Sequence, residues 1–311
     1  MRALARCLLT VNTREVSELG AILEAAQKAW RAGETPVLAT VVATRGSSYR
    51  KPGARMLVTS QGWQAGSISG GCLEADVVRR AAWLVEQGKP IVKTYDTSAD
   101  GDVALGCGGE VDVLLEPFRA DGPTARAMAE VLETRKPVQL AVMEGRVETL
   151  QPSPRLILCG AGHDALPLHT MASSLGWDVH VVDWRAAQTT AGRFPGAKVH
   201  LLAPEALTAL PLEAGCAVVV MSHHLIYDAR VLEAVLRSPL PKYIGVLGPP
   251  KRTKDLLAML PKNLSLARMH APVGFALGGE GPAAVALAIL SEAHAVLFGA
   301  RGTSMSAFPS P

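Results

Sequence analysis

The chain has 311 residues, room for about two domains. Hydrophobic residues make up 49% of it and charged ones 19%, and 31 Lys and Arg against 28 Asp and Glu leave a net charge of only +3; this excludes wholesale disorder, a disulfide-held miniprotein and the basic footprint of a nucleic-acid binder. The 29 glycines and 21 prolines are about a sixth of the chain, above the ordinary share near 12%.

Thr13 opens a helical pattern over residues 13 to 33, with Val16, Leu19, Ile22, Leu23, Ala26 and Trp30 on one face and Gly33 as its stop. β-rich runs follow at Val37 to Ala43, Met56 to Thr59, Ile91 to Tyr95 and Val111 to Leu115, with one helical stretch at Leu73 to Glu86. Residues 1–118 are therefore expected to form an α+β domain. Residues 119–154 read as a connector with a helix and a hairpin from Leu140 to Leu150 turning at Glu144-Gly145. It ends at Gln151-Pro152-Ser153-Pro154, because two prolines in four residues continue neither a helix nor a central strand.

Over residues 155–300 strands and helices alternate. Strands are expected at Leu156 to Cys159, Val179 to Asp183, Lys198 to Leu202, Ala217 to Met221 and Tyr243 to Leu247; helices at Asp164 to Leu175, Asp228 to Leu236, Arg252 to Leu260 and Pro282 to Phe298. Nearly continuous apolar strands in this alternation predict a doubly wound α/β domain with a parallel sheet. Residues 301–311, rich in Ser, Pro and Gly, read as a flexible tail.

Cys7, Cys72, Cys107, Cys159 and Cys216 are odd in number and lack CxxC spacing, which fits a reducing cytoplasm better than a secreted disulfide framework or a zinc ribbon. The apolar stretch from Cys7 to Val11 is too short for a signal-peptide core. Ala283 to Phe298, broken by Glu292 and His294, falls short of the ~18 to 20 residues that span a bilayer. No membrane or nucleic-acid partner is expected.

Gly160-Ala161-Gly162-His163-Asp164-Ala165 follows the first strand of the second half, and Asp183 ends the second strand. This is the order of a Rossmann-type dinucleotide site: the first glycine for the turn, the second for approach of a pyrophosphate, the acid for ribose hydroxyls. The other reading is that the glycines serve helix–strand packing and Asp183 caps a strand. His223-His224 follow the fourth strand of this half and suit either one cap and one exposed ring or metal ligation. Gly248 with Lys251 and Arg252 suits an anion site at a helix N-terminus or a solvated basic face.

In the first half, Gly46-Ser47-Ser48-Tyr49-Arg50, with Arg55 shortly after, offers hydroxyls and guanidinium forks to a phosphate or carboxylate. Gly66-Ser67-Ile68-Ser69-Gly70-Gly71-Cys72-Leu73-Glu74 precedes a helix, where bare amides would favour an anion and a thiolate. Gly106-Cys107-Gly108-Gly109-Glu110 repeats the theme before a strand. Cys72 is the leading thiol; the alternative is that both cysteines are small buried hydrophobes among turn glycines. A G-x-x-x-x-G-K-[ST] loop, a nucleophile elbow and a Ser-Tyr-Lys relay are all missing from the sequence, and no catalytic residue is assigned.

These runs, with Gly53-Ala54-Arg55-Met56, resemble the N-terminal domain of the XdhC/CoxI family, accessory factors for xanthine dehydrogenase and related molybdenum hydroxylases. Gly160-Ala161-Gly162-His163, Val182-Asp183-Trp184-Arg185, Arg193-Phe194-Pro195, Tyr243-Ile244-Gly245-Val246-Leu247-Gly248 and His270-Ala271-Pro272-Val273-Gly274 resemble the family's Rossmann domain. The resemblance implies an N-terminal α+β XdhC/CoxI-type domain followed by a Rossmann-like domain. It also implies a chaperone that holds molybdenum cofactor (molybdopterin) as cargo, supports its sulfuration with a cysteine desulfurase and inserts it into an apo-hydroxylase, with a homodimer as the expected assembly. Ser47, Ser48, Arg55, Ser69, Gly70, Gly71, Cys72, Glu74, Cys107, Gly108 and Gly109 are the expected cofactor contacts, Cys72 being the residue to meet molybdenum. Gly160, Gly162, His163, Asp183 and Arg185 are the expected nucleotide contacts. The alternatives are an NAD(P)-dependent oxidoreductase and a nucleotide-sensing regulatory protein.

Overall fold

A computed structural model describes residues 17–97, 109–143 and 145–303. The chain divides into two compact units between Pro152 and Ser153. Cys7, Thr13, Cys107 and Gly108 lie outside the described residues, as does the 304–311 part of the expected tail.

The first unit is built on a five-stranded antiparallel sheet: β1 (Val37–Gly46), β2 (Arg55–Thr59), β3 (Gly62–Gly66), β4 (Ile91–Asp96) and β5 (Gly109–Pro117), in the order β3-β2-β1-β5-β4. Alternate residues leave opposite faces. Val37, Ala39 and Val41 of β1 join Met56, Val58, Val113 and Leu115 beneath α2 (Glu74–Gln87). Leu38 and Leu57 turn to the other side, against α1 (Glu18–Arg31). Helix α1 has Ser17 as its cap, accepting a hydrogen bond from the Gly20 amide at 3.1 Å, which satisfies one of the amides a helix start leaves without a partner; the expected start at Thr13 lies outside the described residues.

The expected connector does not stand apart from this unit. Helix α3 (Pro123–Thr134) and the hairpin β6 (Val138–Met143) and β7 (Arg146–Leu150) place Met128, Val131, Leu140 and Leu150 in one buried cluster with Ile22, Leu23, Leu38 and Leu57 of α1, β1 and β2. An amphipathic helix and a half-apolar hairpin must bury those faces, and the α1 side of the sheet receives them.

In the second unit β8 (Arg155–Cys159), β9 (Asp178–Asp183), β10 (Lys198–Leu201), β11 (Ala217–Val220), β12 (Tyr243–Val246) and β13 (Met269–His270) form an all-parallel sheet in the order β10-β9-β8-β11-β12-β13. Leu156 and Leu158 face α4 (Ala165–Ser174) and α7 (Pro282–Phe298), while Ile157 and Cys159 face the α5 (Leu225–Arg237) and α6 (Pro250–Ala258) side. Burial on both faces is why the strands read as unbroken apolar runs. The chain winds one way from β8 to β9 and the other way to β11, so the switch point, where such sheets take ligands, lies between β8 and β11. Among the described residues no helix is long and apolar enough to cross a membrane.

Candidate functional site

The loop between β3 and α2 carries Cys72, whose thiol is exposed. It stands at a pocket of about 150 Å³ whose wall includes Ser48, Tyr49, Arg50, Ser69, Gly70 and Thr97. Two short loops, 47–50 after β1 and 67–73 before α2, thus meet at this pocket. Gly71 permits the second of them with a φ of +111°, a region L side chains rarely enter.

The interior of that loop is already satisfied. Ser69 Oγ accepts the amides of Gly71, Cys72 and Leu73 at 3.2, 3.1 and 3.1 Å and donates its proton to Glu74 Oε2. Glu74 Oε1 accepts the amides of Ile68 and Ser69 at 3.1 and 2.8 Å and the Ser67 hydroxyl at 2.9 Å. The bare helix-terminal amides expected here are therefore not free for an anion, and buried Glu74 is a brace behind Cys72 rather than a contact facing the pocket. Burial acts to raise the Glu74 pKa, but the hydrogen bonds from Ser69 and Ser67 outweigh it and hold the carboxyl below its ordinary value.

The other expected contacts divide, some at the pocket and some away from it. Ser48 lines it, with its hydroxyl donating to the Arg50 carbonyl at 2.6 Å, whereas Ser47 is exposed beside it. Gly109 is required by sterics, since a Cβ there would stand 2.2 Å from the Ser47 carbonyl oxygen; glycine is what lets β5 cross the 46–48 loop. Arg55 is buried, its Nη1 donating to Glu148 Oε1 at 3.0 Å and to the Gly53 carbonyl at 2.8 Å. It clamps the β6–β7 hairpin and does not reach Cys72's pocket.

At the switch point of the second unit the glycine loop is closed on itself. Gly160, at φ +135°, lies where a Cβ would come within 2.5 Å of Met221 and Ser222 backbone atoms, so its lack of a side chain serves packing of β8 on β11. Asp183 is fully buried. Its Oδ2 accepts Ala161 N–H at 2.8 Å and Arg185 Nη2 at 2.7 Å, and its Oδ1 accepts Arg185 N and Nε, both at 2.9 Å. Burial tends to raise its pKa, but the donors on Arg185 and Ala161 prevail and keep it lowered. All four lone-pair directions are used, so Asp183 is not free to take the ribose hydroxyls expected of it. Gly162 and His163 lead into α4, whose first turn no side chain caps. Asp164 beside them pairs with His223 Nε2 at 3.0 Å.

The histidine pair divides its work. His224 caps α5, Nδ1 accepting Tyr227 N–H at 3.2 Å, and His223 reaches Asp164; no group of three or more metal-ligating side chains forms among the described residues. Of the two readings of Gly248, Lys251 and Arg252, local geometry does not favour the anion site. Pro249 and Pro250 remove two amides from the start of α6, and Arg252 turns back to donate to buried Asp228 at 2.6 Å.

Comparison with known proteins accounts for both units. Residues 29–96 match the XdhC and CoxI family and residues 156–293 match the XdhC Rossmann domain. A Bacillus subtilis protein named as a probable xanthine dehydrogenase subunit is 30% identical over 83% of this chain and 92% of its own length. The chain belongs to the XdhC and CoxI family. Another relative, the Escherichia coli protein named molybdenum cofactor insertion chaperone PaoD, is 28% identical over 88% of this chain and 87% of its own. A crystal structure described as a xanthine dehydrogenase from Bacillus halodurans superimposes with a TM-score of 0.76 at 26% identity, covering 93% of this chain and 98% of that one.

In this XdhC and CoxI protein, sequence reasoning passes over two residues at the first-unit sites. Thr97 lines the Cys72 pocket and ties β4 to β5, its hydroxyl donating to the Gly109 carbonyl at 2.6 Å; nothing marks it out but its place at a strand end. Glu148, the partner of Arg55, sits 93 positions away in sequence, and no local pattern joins them.

Proposed function

We propose that this protein holds molybdenum cofactor as cargo in the Cys72 pocket, supports its sulfuration with sulfur from a cysteine desulfurase, and inserts it into a xanthine dehydrogenase-type hydroxylase. The reading rests on one observation: an exposed thiol stands at a mostly apolar pocket lined by Ile68, Leu73, Val111 and the Tyr49 ring, on a loop whose backbone is fixed by Ser69 and Glu74. A thiolate is a soft ligand suited to a sulfur-ligated metal. The Tyr49 ring, 77% exposed, offers a flat face on which a pterin stacks. A relative named as a molybdenum cofactor insertion chaperone, matched over most of both chains, supports the same reading. A reducing cytoplasm, where Cys72 stays a thiol, and a homodimeric assembly belong to it. The oxidoreductase and nucleotide-sensing readings both need the Asp183 carboxylate, which Arg185 and Ala161 occupy.

The full-length protein, mixed with molybdenum cofactor and passed through gel filtration, should retain molybdenum and pterin together. Cys72→Ala should lose most of that retention while keeping the wild-type melting temperature. Equal retention by Cys72→Ala removes the thiol from the site, and no retention by the wild type refutes the cargo.

A further inference from the structure

The Cys72 pocket, at about 150 Å³, is smaller than the ~300 to 1,000 Å³ that whole small molecules occupy. A pterin with its metal and its phosphate cannot lie entirely within it. A second hollow of about 540 Å³ shares Tyr49 and Arg50 as wall residues. We infer that this second hollow is a phosphate subsite, taking the anionic end of a cargo whose metal end meets Cys72; the inference rests on the cargo reading above.

The charges support it. Arg50, Lys51 and Arg55 line the hollow against Glu18 and Glu148, an excess of one positive charge. The three cations differ in freedom. Arg55 is locked, its side chain 3% exposed and neutralised by Glu148, so it holds the hairpin wall and adds no net charge. Arg50 pairs with Glu18 at 2.6 Å on the surface, the two side chains 31% and 42% exposed. Such a pair contributes little and exchanges readily for a phosphate, to which a guanidinium binds through two parallel hydrogen bonds. Lys51 is exposed and its side chain has no partner among the described residues. The backbone does not compete for this role, since the Gly53 and Ala54 amides already donate to the Val41 and Lys51 carbonyls. Side chains on the loop just after Cys72's neighbour Tyr49 are therefore the anion-binding groups, and Tyr49 stands between the two compartments.

The test uses the full-length protein and inorganic pyrophosphate, measured by titration calorimetry, alongside molybdenum cofactor retention. Wild type should bind pyrophosphate in a salt-sensitive way. Lys51→Gln and Arg50→Gln should each weaken it about tenfold, while Cys72→Ala leaves it unchanged. The same two substitutions should speed loss of bound cofactor. Pyrophosphate binding that is absent, or indifferent to both substitutions, overturns the subsite. Lost pyrophosphate binding with unchanged cofactor retention overturns its assignment to the cargo. If Cys72→Ala retains cofactor but the two cation variants do not, the subsite stands and the role given to the thiol fails.

Discussion

The hydroxyl of Ser69 donates to the carboxylate of Glu74 while its oxygen accepts three successive amides at the start of α2. One side chain thereby holds the turn that leads into α2, whose own cap residue Leu73 makes no side-chain hydrogen bond, and couples that turn to a buried acid. Ser69→Ala removes the acceptor and should cost about 1 to 3 kcal/mol, the range for leaving buried donors unsatisfied, read as a lower denaturation midpoint. The amides it releases beside Cys72 should also speed alkylation of that thiol, since free N–H groups at a helix start favour the thiolate. A slower reaction would contradict the arrangement.

Glu74 makes the clasp sensitive to acid. Its folded pKa lies below the ordinary value of 4.5 because Ser69 and Ser67 bond to the ionised form more strongly than burial opposes it. The unfolded chain therefore takes up the proton first as pH falls. The stabilisation is complete above the ordinary range and disappears as pH drops through the folded value. Glu74→Gln should be less stable than wild type at neutral pH by about 1 to 3 kcal/mol, and the gap should close on acidification below that ordinary value. A gap constant with pH in urea titrations would show that the charge is not what matters.

How much of the structure is legible in the sequence depends on range. The parallel sheet is legible because Leu156 to Cys159 and Ala217 to Val220 are apolar runs bounded by glycine or turn residues. Strands β3 and β13 are not: β3 is an edge strand of Trp63, Gln64 and Ala65 between two glycines, and β13 has two residues, too few for any period to show. The density of glycine marks the Cys72 loop as a tight turn, with Gly71 at φ +111°. It does not reveal that Glu74 folds back onto residues 67–69, because that depends on a reversal of the chain rather than on spacing along α2. At Asp183 the pattern misleads: the spacing of a dinucleotide site is kept, but Arg185, two residues on, occupies the carboxylate. The Arg55–Glu148 pair joins segments that only the finished fold brings together.

That pair gives the next expectation. Arg55 is almost wholly buried, with Glu148 as its one carboxylate hydrogen-bond partner among the described residues. Glu148→Ala leaves a buried guanidinium uncompensated and should cost about 3 to 5 kcal/mol, whereas replacing both partners by apolar residues of similar volume should cost much less. Equal losses in the single and double variants, measured in a double-mutant cycle, would mean that Arg55 is stabilised by something other than Glu148.

Asp183 separates a structural from a ligand-binding role. Because its oxygens hold Ala161 and Arg185, Asp183→Ala should loosen the loop after β8 and lower stability by about 1 to 3 kcal/mol through the buried amide of Ala161 alone. Wild-type protein titrated with NADH should show no tight binding for that substitution to abolish. Micromolar NADH binding lost in Asp183→Ala would restore the ribose role and require Arg185 to swing away.

The cysteines supply the most direct check on the site. Cys72 is exposed, while Cys159 and Cys216 are buried. Burial pushes both buried thiols up, and for Cys159 the nearby Asp228 and Asp183 carboxylates add to it. The thiolate is the reactive species and must also be reachable, so Cys159 and Cys216 are disfavoured on both counts, while Cys72 is reachable. Iodoacetamide at neutral pH, followed by peptide mass spectrometry, should modify Cys72 in the native protein and reach Cys159 and Cys216 only in denaturant. Loading with molybdenum cofactor should then protect Cys72 and leave the other two unaltered. Protection is the informative half of the measurement, because exposure alone makes a thiol reactive, whereas its shielding by cargo requires that the cargo sit against it.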